Sequence, residues 1–102
     1  MTAPMPLPGM PEPPKSEYET WADAIRPVYV NVAATGRRFV CWEIARDNQL
    51  PEPPNPQRDW ARFMGEFHRD GLIRQDGYGE ARDHSAVKQW RGTHAARREA
   101  AA

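Results

Sequence analysis

The run from Asn55 to Arg74 constrains the fold more than any other part of the chain. Asn55 is a residue type that caps helices. Pro56 follows at the first helical position, where a missing N–H costs nothing. Trp60, Phe63, Met64 and Phe67 then recur at i, i+3, i+4 and i+7, which puts four apolar side chains on one helical face. Gly71 suits a left-handed stop, and Leu72-Ile73 suits a strand entering a core. The spacing therefore predicts a helix over residues 55–70 that buries one face and feeds a strand. Its other face carries Arg58, Arg62, Glu66 and Arg69.

Upstream, Ser16 with Glu19 three residues later predicts a capping box and the start of helix one. Trp21, Ile25, Val28 and Val32 lie at helical spacing and are expected to face the core. Pro27 removes one backbone bond, so this stretch is either kinked there or split into two short helices at Arg26–Pro27. Gly36 ends it. Arg37 to Val40 reads as a short edge strand or extended lead-in, and Cys41 to Asn48 as a second short helix closed by Leu50. Pro51-Glu52-Pro53-Pro54 is a stiff connector.

Downstream, Leu72 to Gln75 reads as a strand, Asp76-Gly77 and Gly79 as a turn with Tyr78 at its tip, and Val87 to Arg91 as a returning strand. Thr93 to Ala102 reads as a flexible tail or frayed helix.

Length allows one small domain. Six of the eleven prolines precede Lys15, with Leu7 and three methionines as almost the only large apolar side chains there. Residues 1–15 are expected to form a disordered, partly polyproline-II arm, which has the composition to dock on an aromatic groove of a partner. The folding unit is then residues 16–92, near the lower size limit for folding without staples, and four tryptophans supply much of its core. One cysteine, Cys41, allows no internal disulfide and points to a reducing compartment. No apolar run approaches the roughly 18 residues of a membrane span, and the proline-rich start is no signal peptide. A cytoplasmic location is expected.

Enzyme chemistry finds no support. There is no nucleophile elbow, no phosphate-binding glycine loop followed by a helix, and no carboxylate pair in an apolar setting. Cys41, His68, His84 and His94 show neither C-x-x-C nor H-x-x-x-H spacing, so neither a metal nor a cofactor is expected.

The order helix, short strand, helix, helix, strand, turn, strand is that of a winged helix-turn-helix: mainly α, with a small antiparallel β wing. Phe39-Val40, the helix after it, the Pro-Glu-Pro-Pro link, Gly71-Leu72-Ile73-Arg74 and the late Val87-Lys-Gln-Trp-Arg91 resemble small winged helix-turn-helix proteins of actinobacterial phages and prophages. The resemblance covers roughly residues 17–92. It departs from the family pattern at Val40, where Thr or Ser is expected, at Gln89, where an aliphatic residue is expected, and in a shorter, less basic wing. It implies a DNA-binding regulator.

In a helix-turn-helix the third helix enters the major groove. Here that helix offers Asn55, Gln57, Arg58, Arg62 and Arg69, with Asn and Gln suited to adenine and Arg to guanine. Arg37, Arg38, Arg74, Arg82, Lys88 and Arg91 are candidates for phosphate contacts. Net charge is zero, and Asp59, Glu66 and Asp70 interleave the arginines of helix three. That mixed pattern keeps a rival open, a protein–protein module that binds a host or phage protein through the helix-three and wing face. A third reading is self-association through Tyr78 and the wing.

Overall fold

A computed structural model describes residues 15–102, so the expected proline-rich arm lies outside the described residues except for Lys15, which pairs with Asp23. The elements are α1 (Glu17–Ala34), β1 (Arg38–Phe39), α2 (Cys41–Asp47), α3 (Pro56–Arg69), β2 (Ile73–Glu80), β3 (Ala86–Gly92) and α4 (His94–Ala101). They make a mixed α/β unit in which four helices accompany a small antiparallel sheet of order β1-β3-β2. No helix of the described residues is long and apolar enough to cross a membrane.

The capping box at Ser16 is present. The Glu19 amide donates to Ser16 Oγ at 3.1 Å and the Glu19 carboxylate accepts the Ser16 N–H at 3.4 Å. α1 then runs 18 residues without a break through Pro27. Pro27 lies on the exposed side, and the carbonyl it leaves without a helical donor belongs to the equally exposed Asp23, where water can serve it. The buried stripe differs from the expected one after Ile25. It continues through Tyr29 and Ala33, while Val28 and Val32 are only half-buried. Steps of four from Trp21 stay on one face, whereas Val28 and Val32 sit one residue, or about 100°, to the side.

α1 and α3 share an aromatic core. Phe63 stacks on Phe67 with ring centroids 5.2 Å apart, Tyr29 lies 5.3 Å from Phe63, and Trp21 meets Trp60 edge-on at 4.8 Å. Such pairs contribute about 0.5–1.5 kcal/mol each beyond their buried area. The polar ends of the rings fix neighbouring segments. Trp21 Nε1 donates to the Pro51 carbonyl at 2.8 Å, which seats the proline connector, and Tyr29 Oη donates to the Cys41 carbonyl at 2.9 Å, which seats α2.

The sheet pairs Phe39 with Trp90 and Arg38 with Arg91, so the aromatic pair faces the core and the arginines face outward. β2 is longer than expected. Asp76-Gly77 forms a bulge within it, with Gly77 at φ +84°, and Tyr78 stands 68% exposed along the strand rather than at a turn tip. The chain reverses instead at residues 81–85. There the Ala81 N–H donates to Ser85 O at 2.8 Å, Asp83 accepts the Ser85 N–H at 3.0 Å, and His84 takes the left-handed φ of +67°.

The C-terminal segment takes the helical one of its two expected forms. Residues 94–101 form α4, packed along α1, with Ala96 fully buried. Thr93 Oγ1 donates to the Gly71 carbonyl at 2.6 Å, and Glu99 meets Arg26 of α1 at 2.6 Å. The folded unit therefore extends past Gly92, with Ala96 of α4 part of the core.

Candidate nucleic-acid interface

α3 is held by the burial of Phe63, Met64 and Phe67, which leaves its far side open. Asn55 stands at the N-cap position, but its side chain makes no capping bond. The buried Asp59 carboxylate accepts the Asn55 N–H at 2.9 Å instead. Asn55 and Gln57 are exposed at the first turn. Arg58 is 71% exposed, its Nε 3.5 Å from Asp59 Oδ1.

The acids that interleave these arginines in sequence are turned away from them or engaged. Asp59 is 1% exposed. Glu66 accepts the Tyr18 hydroxyl at 2.9 Å and Arg62 Nε at 3.0 Å. Arg62 itself lies over the Tyr18 ring, 3.8 Å from its centroid. Burial first, and then the bond to Glu66, push the Tyr18 phenol well above its ordinary pKa, so it stays a donor. Asp70 lies beyond the helix, 3.8 Å from Arg26. Arg69, exposed in the last turn of α3, has no ion-pair partner among the described residues.

The remaining candidates divide into two places. Arg38, Arg91 and Arg74 form one cross-strand row, since Arg91 is the register partner of both others. Asp76 Oδ2 accepts Arg91 Nε at 2.6 Å and Arg38 Nε at 3.1 Å, and these bonds, Arg91's first, hold the Asp76 carboxyl below the usual carboxylate range. Arg37 is exposed at the entry to β1. This row occupies the sheet face opposite Phe39 and Trp90, so the structure does not bring it onto the surface that α3 presents.

Arg82 and Lys88 lie elsewhere, at the rim of a groove of about 790 Å³ between α2, α3 and β3. Trp42 organises that rim. Its Nε1 donates to the Glu80 carbonyl at 2.9 Å, and the guanidiniums of Arg46 and Arg82 lie 4.9 and 5.6 Å from its ring. Sequence reasoning named neither Arg46 nor the groove. The four-residue spacing of Trp42 and Arg46 was the available signal, because it stacks the two on one helix face. Below the rim, Ala61 and Gly65 are exposed side by side on α3, flanked by Leu50, Trp60 and Met64.

Cys41 is largely shielded, and burial pushes its thiol up to about 11, which disfavours the nucleophilic thiolate. No cluster of His, Cys, Asp or Glu able to hold a metal ion occurs among the described residues. Comparison with protein-family models, with curated proteins and with solved structures finds no match.

Proposed function

We propose that this protein is a small, non-enzymatic DNA-binding regulator of the winged helix-turn-helix type, cytoplasmic and of phage or prophage origin, with α3 as the recognition helix and the β2–β3 hairpin as the wing. The observation that carries the reading is the sorting of charge on α3. Asp59 is buried and Glu66 is tied to Tyr18 and Arg62, while Gln57, Arg58 and Arg69 remain at the surface. A helix whose acids are taken up and whose amide and guanidinium side chains are exposed suits duplex recognition. Arg82 and Lys88 on the hairpin add positive charge beside it.

The test separates the three basic regions. Binding of a labelled duplex is measured by anisotropy for Arg58→Ala and Arg69→Ala, for Arg82→Ala, and for Arg74→Ala on the outer sheet face. The α3 variants are expected to weaken binding roughly tenfold each, with a smaller loss for Arg82→Ala and none for Arg74→Ala. Equal losses from both faces would replace specific docking with general charge attraction.

The groove favours a second reading, a module that holds a protein segment. Its mixed apolar floor and cationic rim match the composition of a peptide-binding surface. Under that reading Ala61→Arg abolishes recovery of a partner from nuclease-treated lysate and leaves duplex binding intact.

A further inference from the structure

The groove between α2, α3 and β3 carries an acid at one end of α3 and a lysine at the other. Glu52 belongs to the proline connector, which the bond from Trp21 to the Pro51 carbonyl seats beside Trp60 in the second turn of the helix. Lys88 lies 5.9 Å from the centre of the Trp90 ring, and Trp90 in turn meets His68 of the last turn at 5.4 Å. Trp60 and His68 are about 12 Å apart along the helix axis. Glu52 and Lys88 are both exposed, and neither has an ion-pair partner among the described residues. Arg46, at the same rim, is paired with Asp47. Between the two ends the groove is lined by Leu50, Trp60, Ala61, Met64 and Gly65. Gly65 lies inside α3, where glycine weakens a helix relative to alanine, yet nothing stands within 4 Å of a β-carbon added there. The fold itself makes no use of the missing side chain.

We propose that a second copy of this chain occupies the groove, in a dimer whose twofold axis crosses α3 at the Ala61–Gly65 step. Three observations select that occupant. First, a twofold axis sets the two α3 helices antiparallel, so the Glu52 end of each groove meets the Lys88 end of the other, and the same charge pair forms twice. Second, the apolar middle of the groove meets itself, as an isologous contact requires, and the bare backbone at Gly65 lets the two helices come close. Third, net charge is zero, so no overall repulsion holds two copies apart. This contact is distinct from one through Tyr78, which does not line the groove. The inference does not depend on DNA binding. It bears on it, because two α3 helices packed face to face cannot also enter a major groove, which makes the dimer a form that leaves duplex DNA unread.

The experiment is sedimentation equilibrium of the full chain, without DNA, over roughly a hundredfold range of protein concentration. A monomer–dimer equilibrium is expected. Gly65→Arg, which meets nothing within the fold, is expected to leave only monomer with the circular dichroism of the parent. Glu52→Lys and Lys88→Glu each set like charges together twice, and each is expected to weaken the dimer roughly tenfold. Mixing those two variants, or combining both changes in one chain, puts opposite charges back at both contacts and is expected to restore the dimer. A chain that stays monomeric throughout the range would overturn the proposal. So would a dimer that Gly65→Arg leaves intact, or charge variants that fail to rescue each other, because either result places the contact elsewhere on the surface.

Discussion

Gly92 passes so close to Ala33 that a β-carbon added to it would fall 1.7 Å from the Ala33 carbonyl oxygen. Ala33 is fully buried in α1, so neither side can yield. Gly92→Ala is expected to cost about 3 kcal/mol or more, seen as a lower urea midpoint at an unchanged slope. A midpoint within error of the parent would mean that α1 and β3 do not meet as described.

α4 gives a paired prediction. Ala96 is fully buried and Ala100 is exposed on the same helix. Ala96→Glu is expected to destabilise by about 2–4 kcal/mol, whereas Ala100→Glu stays within about 0.5 kcal/mol. Equal effects in thermal unfolding would return this segment to the role of a loose tail.

These two positions also mark what the sequence made legible. The capping box at Ser16, the Phe63-Met64-Phe67 face and the left-handed Gly71 were readable because each is a local rule satisfied by adjacent residues. The burial of α4 was not, because an Ala-Arg segment has no apolar stripe of its own, and its partner surface on α1 lies some 70 residues upstream in the chain. The hairpin was misplaced for a different reason. Asp76-Gly77 has turn chemistry but serves a bulge, while the actual reversal uses His84, a non-glycine residue at positive φ. At the candidate site the arginines could be listed but not sorted. Where Asp59 and Glu66 point is set by tertiary contacts: Asp59 is buried, and Glu66, still part-exposed, accepts from Tyr18 and Arg62.

Asp76 links stability to acid. Its carboxyl is held below the ordinary range by Arg91 and Arg38, so the stability it lends is present above the unfolded value near pH 4 and is lost as pH falls through the lower folded value. Asp76→Asn is expected to be less stable than the parent at pH 6, with the gap closing below about pH 4. A gap that stays constant to pH 2 would show that the two arginines do not hold this carboxylate.

Cys41 is expected to resist modification. With its thiol pushed up to about 11, against 9.0 for an ordinary one, the thiolate fraction at pH 8 falls about a hundredfold. Reaction with a disulfide reagent at pH 8 should be slower by at least that factor in the native protein than in urea. Similar rates in both would mean that the α1–α2 contact through Tyr29 opens freely.

The most direct test of the account is the salt dependence of duplex binding by the full chain. If α3 and the hairpin together contact about four phosphates, the log–log plot of affinity against salt falls with a slope near −4, and Arg58→Ala or Arg69→Ala makes it shallower by about one. An interaction that is undetectable, or that does not change with salt, would contradict the assignment of α3 as a DNA-recognition helix.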